Sequence, residues 1–444
     1  MPLVFPAATP VRWFAFLSCL VAMLVSTGNA AVAALPRGGL IDPVVAQRFG
    51  IERMWFSQAQ LDVSRHRVEH AVLHGGQLFV LTTAGVLHVM DAETGSTVWI
   101  ERFGNPNYPS LGPAVSEDHV ALVNGSTLYV LERHNGREVL SRSIGGGPAG
   151  GPALTKFMAY VPLFNGKIEG YRIAEPQQPA LYFASAGRIF TSPLATADSI
   201  VWPTDAGILY VANASGRGIR YRFESTSPLA GHPAAKNGLL YTSSATGYVF
   251  ALNEQNGNQA WRYASGAPTS RSPVVVGGRL FLATDLPSLH CLEAATGHLL
   301  WEAPNIRQMV AISKTRAYGI NKVGDITILD AATGVRQGQL RTDGTTSAVL
   351  NDQTDRLYLV SETGLLQCLR EEGAKEPLIH GDQIDPALLP EEDAPQGEEQ
   401  DNPFGTPGEE DDPFADPQPE ENPFGEDAPP AADEPPADNP FGFE

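Results

Sequence analysis

The sequence predicts an all-β protein: an eight-bladed β-propeller of four-stranded antiparallel blades, with seven blades as the alternative count, followed by a disordered acidic, proline-rich tail. Three observations carry this reading. A repeat of about forty residues recurs along the chain. Each repeat holds about four short apolar segments separated by turn residues, with no amphipathic helical period. Composition then changes abruptly near residue 381, beyond which there is no Lys or Arg.

At the start of the chain, Arg12 precedes an apolar run from Trp13 to Val25, and small residues follow at Gly28, Ala30, Ala31, Ala33 and Ala34. This is the pattern of a secretory signal cut between residues 30 and 34, so residues 1–34 are set apart as a signal peptide. Lipidation at Cys19 is an alternative, but Phe16 stands where Leu is usual and the apolar run continues past the cysteine. An uncleaved anchor is another, although the run falls short of the roughly 20 residues that span a bilayer. The chain is expected to be exported, periplasmic or envelope-associated, with no membrane span after cleavage.

The repeats begin with an apolar segment at Leu87 (LHVMD), Leu128 (LYVLE), Ile168 (IEGYR), Leu209 (LYVAN), Val249 (VFALN), Leu289 (LHCLE), Ile326 (ITILD) and Leu366 (LQCLR), in steps of 41, 40, 41, 40, 40, 37 and 40 residues. Both faces of this segment are largely apolar, so it needs cover on both sides, as blades stacked around an axis provide. Turns such as "DAETG", "EQNG" and "AATG" supply Asn or Gly where a hairpin needs positive φ. Prolines at 113, 152, 193, 233 and 273 open the run before each central unit. The last unit ends in "EEGAKEPLIH", a poor outer strand. The segment near 51–63, "IERMWFSQAQLDV", is strand-like and belongs to no unit, so it is expected to complete the last blade and close the ring, which abolishes open sheet edges. The propeller is placed at 41–380.

The recurring motif [Leu/Ile]-x-[Val/Ala/Ile]-[Leu/Met]-[Asp/Glu/Asn]-x-x-[Thr/Asn]-Gly-x-x-x-Trp, at 87–99, 249–261 and 289–301, resembles the pyrroloquinoline-quinone-like (PQQ-like) repeat of β-propellers over roughly 70–377. That family includes quinone-dependent alcohol and glucose dehydrogenases and non-catalytic envelope proteins, among them the outer-membrane barrel-assembly lipoprotein BamB. The resemblance implies a docking role for the tryptophans, which pack one blade on the next; Trp99, Trp261, Trp301 and Trp55 are therefore read as structural. The same slot holds Leu140, Tyr221 and Gly338 elsewhere.

Site by site, chemistry finds little support. His88 and His290 share a slot with Tyr129, Phe250, Thr327 and Gln367. His66, His70 and His74 are four apart, but on a strand that spacing separates neighbours by roughly 13 Å. "GGGPAG" at 145–150 matches a dinucleotide loop in letters only, since strands and no helix are expected after it. Cys291 and Cys368 occupy one slot two blades apart, too far for a disulfide. Asp91, Glu132, Glu293 and Asp330 recur in register and read as turn formers. Relatives that are quinone dehydrogenases add adjacent cysteines, calcium ligands and long roofing loops; this chain has no Cys-Cys pair, and steps that never exceed 41 residues leave little for loops. We therefore expect no enzyme, no catalytic, cofactor-binding or metal residues, and a monomeric envelope scaffold for protein–protein interactions, with outer-membrane protein assembly as its setting. A PQQ-dependent dehydrogenase acting on an alcohol or sugar is the alternative.

Charge sharpens the division of the chain. Residues 381–444 hold 21 of its 50 acids; removing Arg12 with the signal leaves 29 acids and 29 bases in the body. A neutral body gives no support to nucleic-acid binding, which needs a basic face. The tail repeats "DNPFG" at 401 and 438, "DDPFA" at 411 and "ENPFG" at 421, offering Phe404, Phe414, Phe424 and Phe441 as candidate partner-binding tips. Asn-Pro-Phe is similar to the peptide read by Eps15-homology domains, which are cytosolic. Limited proteolysis should remove the tail while leaving the propeller, and deleting 381–444 should leave the melting temperature nearly unchanged; protease resistance beyond about residue 385 equal to that of the blades contradicts the disorder expectation.

Overall fold

The computed structural model describes residues 39–381 except 217, 344 and 345. Residues 1–34, where a signal peptide is expected, and the four tail phenylalanines lie outside the described residues. Eight four-stranded antiparallel sheets form an eight-bladed propeller. Blades 1 to 7 are continuous in sequence, at 68–102, 110–143, 153–184, 194–224, 229–264, 274–304 and 306–340. Blade 8 is composite. Its first three strands are Thr346–Val349, Leu357–Ser361 and Leu365–Glu371, and its outer strand is Ile51–Gln58, paired from Ile51↔Glu371 to Gln58↔Leu365.

Each repeat start identified above lies on the third strand of its blade, for example Val86–Asp91 and Ser288–Glu293. These strands are buried on both faces because neighbours cover both. The turn that follows is set by local chemistry: Asp91 Oδ1 accepts hydrogen bonds from the Thr94 N–H and hydroxyl, each at 2.8 Å. Asp330 does the same with Thr333, at 2.9 Å each. Glu132 and Glu293, one methylene longer, instead reach the side chains of Asn135 and Thr296.

The core is distributed. Eight buried clusters lie between adjacent blades, such as Phe79, Val89, Trp99, Val120 and Leu122 between blades 1 and 2, and Val80, Met90, Tyr358 and Leu366 between blades 8 and 1. One contact recurs at these interfaces. An outer-strand aromatic lies on the turn glycine of the next blade and donates its polar hydrogen to a carbonyl there. Trp99 Nε1 donates to Arg133 O at 2.8 Å, Trp261 to Ala294 O at 3.0 Å, and Trp301 to Ala331 O at 2.9 Å. Tyr221 reaches Asn253 O at 3.1 Å, and Trp55 carries the contact across the closure to Ala92 O at 2.9 Å. The glycine is obligatory: Gly297 has φ +75°, and a Cβ there would sit 2.5 Å from the Trp261 ring.

Between blades 7 and 8 the pair is inverted. The outer-strand slot holds Gly338, and the ring facing it is Phe49, from the segment after the short helix Pro43–Gln47; a Cβ on Gly338 would lie 2.5 Å from that ring. Arginines add a second clasp. Arg279 donates to Ala331 O and Arg316 to Phe49 O at 2.7 Å. Arg356, fully buried, pairs with Asp355 at 3.2 Å and with Glu93 of blade 1 at 3.4 Å. Replacing Trp261, Trp301 or Trp55 with Ala should cost roughly 3–5 kcal/mol each as large-to-small changes in a packed interface, read from urea unfolding; an unchanged midpoint contradicts the docking role.

Candidate functional site

In an antiparallel meander, successive turns alternate between the two ends of the sheet. One face of the propeller therefore carries the second-to-third-strand turns and the connections between blades, and we call it the connector face. The opposite face carries the remaining turns. Between them runs the axial cavity, about 550 Å³.

The cavity wall is made by the inner strands. Pro113, Pro152, Pro193, Pro233 and Pro273 all line it, with alanine, valine and leucine between them. Strands approach closely here: a Cβ on Gly151 would lie 3.0 Å from Gly112 Cα. Among the described residues lining the cavity, His232 and Asp352 are the titratable ones. The His232 ring nitrogen Nε2 lies 3.3 Å from Pro193 O, and burial pushes its pKa down. The low-dielectric walls push the Asp352 carboxyl up. A calcium ion needs six or more oxygen ligands, commonly several carboxylates. One carboxylate among prolines and alanines does not fit a quinone with its calcium. Among the described residues no group of three His, Cys, Asp or Glu side chains converges as a metal site.

The other sequence candidates are placed as follows. His70 and His74 lie on the inner strand Val68–His74, with His66 before it. Residues 145–150 lie in the connection to blade 3, and the strand Ala153–Leu154 follows. Cys291 and Cys368 are buried free thiols, Cys291 pushed up to about 12 by desolvation.

The slot shared by His88 and His290 has a role that the sequence does not reveal. Its occupants reach back to the preceding blade or the connection leaving it. Glu169 accepts from Gly145 N–H at 3.0 Å, Tyr210 from Ala186 N–H at 2.8 Å, and Tyr129 packs on Phe103 with ring centroids 5.9 Å apart. His290 Nδ1 lies 3.0 Å from the Tyr263 hydroxyl, whereas His88 is buried with its Nε2 unpartnered among the described residues. In blade 8 Gln367 holds Gly39 O at 2.9 Å and Ile41 N–H at 3.2 Å, so the N-terminal segment stands in for a connection. The slot thus fixes the loops of the connector face to the rigid blades.

That face carries exposed apolar side chains on its loops, Val63, Tyr108, Phe164, Phe190, Leu286 and Val323, each more than half exposed, whereas Phe157 and Val335 are exposed on turns of the opposite face. Phe190 is held by the Arg188 guanidinium 5.0 Å above its ring, and Arg188 is itself paired with Asp205 at 2.9 Å. Rigid, exposed apolar groups are what a protein interface uses as anchors. They lie on loops, where sequence periodicity gives no signal.

Comparison with known proteins bears on the fold and its family. A family model described as "Outer membrane protein assembly factor BamB" matches residues 51–178 and 184–363. The crystal structure of BamB from Moraxella catarrhalis is similar at 14% identity and a TM-score of 0.56, covering 71% of this chain and 100% of that one. The computationally designed Ika8 protein follows at 14% identity and 0.55, covering 68% and 96%. The C-terminal WD40 domain of Sif2 has 10% identity and 0.54, covering 72% and 97%. At these identities the structural likenesses bear on the fold alone. A search of curated protein sequences returns no match.

Burial holds the pKa of His70, His74, His88, His232, His290 and His380 below 6.5 in the folded chain. The unfolded chain therefore binds more protons as pH falls through 6.5, so their contribution to stability is full above that pH and declines below it. Asp352 and Asp355, raised by burial, act with the opposite sign at pH above 3.8. The urea midpoint should fall between about pH 7.5 and 5.5, and a His88→Phe, His290→Phe double variant, which copies Phe250 of the same slot, should flatten that fall. A pH-independent midpoint contradicts the assignment.

Proposed function

Because the chain belongs to the outer membrane protein assembly factor BamB family, we propose that it is a non-catalytic propeller scaffold of the cell envelope that presents its connector face to protein partners, with a role in outer-membrane protein assembly. The single observation that carries the interface is the placement of Tyr108, Phe164, Phe190 and Leu286, exposed on loops that are pinned to the blades. Export to the periplasm is part of the proposal and rests on the signal pattern in residues 1–34. Among the described residues no helix is long and apolar enough to cross a membrane.

The composition of the axial cavity supports the non-catalytic reading over a quinone dehydrogenase. Its wall offers one imidazole, which lies against Pro193 O, and one carboxylate, too few oxygen donors to hold a calcium ion. Incubation with pyrroloquinoline quinone and calcium should give no tight uptake and no dye reduction with alcohols or sugars. A stoichiometric, calcium-dependent quinone complex that reduces a dye defeats the proposal.

For the interface, a photo-crosslinking residue at Phe164 or Phe190 should capture a defined envelope protein in intact cells, and one at Phe157, on the opposite face, should not. Phe164→Glu and Phe190→Glu should each weaken that association by about tenfold or more, as for buried aromatic anchors. Equal capture from both faces contradicts the assignment of the face. Unchanged levels of outer-membrane β-barrels after deletion of the gene contradict the assembly role.

A further inference from the structure

The repeat step of 37 residues between Leu289 and Ile326 has a structural counterpart at the junction of blades 6 and 7. The connection from blade 5 to blade 6 spans residues 265–273, whereas blade 6 is joined to blade 7 by Asn305 alone, between strands Leu299–Pro304 and Ile306–Ile312. Asn305 takes a left-handed conformation, φ +63°. The inner strand then breaks register, with Ile306 opposite Asn321 and Gln308 opposite Ile320, so Arg307 is the extra residue of a β-bulge. Bulges re-aim side chains and recur beside binding sites.

Arg307 lines a pocket of about 290 Å³ between the two blades, and Arg271 lines the same pocket from the blade 5–6 connection. The rest of the wall is chiefly apolar, with Phe281, Leu289 and Met309. Through Ser272, Val274 and Leu350 the pocket adjoins the axial cavity. Neither guanidinium has an ion-pair or hydrogen-bond partner among the described residues, and the Arg307 Nε is buried without one. Asp285 is occupied by the Ser270 N–H and hydroxyl, at 3.2 and 2.7 Å. Elsewhere in the propeller the arginines at blade junctions are satisfied: Arg316 by Phe49 O and Arg356 by Asp355 and Glu93.

A partly buried guanidinium without a partner is costly, and its planar fork matches a carboxylate. We propose that this pocket binds a small carboxylate with an apolar body, such as a medium-chain fatty acid or an arylalkanoic acid. Arg271 and Arg307 hold the carboxylate, and Phe281, Leu289 and Met309 enclose the hydrocarbon. The volume is near the lower end of ordinary ligand pockets, roughly 300 Å³, which excludes long-chain lipids from full enclosure. The proposal goes beyond the scaffold reading and does not depend on it.

The test is calorimetric titration of the full-length protein with sodium octanoate, below its micellar range, against octan-1-ol and octylamine. Octanoate should bind saturably at one site per chain, and neither comparison compound should bind there. Arg307→Met and Arg271→Met should each weaken octanoate binding by about tenfold or more, as expected for loss of a charge-assisted hydrogen bond. Arg307→Lys should retain part of the affinity. Urea midpoints verify folding of each variant, and the exposed Arg271 provides a reading that does not perturb a strand. Absence of saturable binding, equal binding of octan-1-ol, or full affinity in folded Arg271→Met overturns the proposal.

Discussion

At five of the eight junctions the structure rests on one contact: an aromatic ring on the outer strand of a blade, lying against a left-handed glycine in the turn of the next. Each blade buries both of its faces, and eight apolar clusters sit between blades rather than inside them. No blade has a core of its own. Removing one would expose two clusters, so the ring must close for any part to be stable. Closure uses the same contact, Trp55 against Gly95, reinforced by the buried Arg356 between Asp355 and Glu93. A buried guanidinium adds little net stability over apolar packing, but it strongly disfavours a junction that omits its acids.

At the blade 7–8 junction the departure from this rule is complementary. Gly338 and Phe49 exchange the large and small partners of the contact because the blade 8 turn is supplied by the N-terminal segment instead of a hairpin. The interface keeps its volume. Such exchanges are invisible when a single position is compared across repeats, since half of each pair lies in another blade.

The same packing leaves chemistry to the loops. Close approach of the inner strands keeps the axial wall small and apolar, and the second position of several third strands, as at Glu169 and Tyr210, holds the chain that leaves the preceding blade. Loops of the connector face are thereby hydrogen-bonded to the blades, and they carry the exposed aromatics Tyr108, Phe164 and Phe190. The blade 6–7 junction is the exception, where a one-residue connection and a bulge turn Arg307 toward an apolar pocket.

Hydrophobic periodicity and turn chemistry act over a few residues, so the forty-residue repeat, the third strands, the acidic turns at Asp91 and Asp330 and the strand near residue 51 were all legible in the sequence. The tryptophan slots were legible by recurrence. What the sequence left undetermined was every property set by pairing between blades: which turn each ring meets, why His88, Glu169 and Gln367 share a slot, which arginines find carbonyls or carboxylates and which do not. Those partners are 24 residues apart for Glu169 and Gly145, 263 for Arg356 and Glu93, and 328 for Gln367 and Gly39. A charge or a ring acquires its meaning from the dielectric and the donors around it, and in a closed ring these are contributed by neighbours that only the tertiary structure brings together.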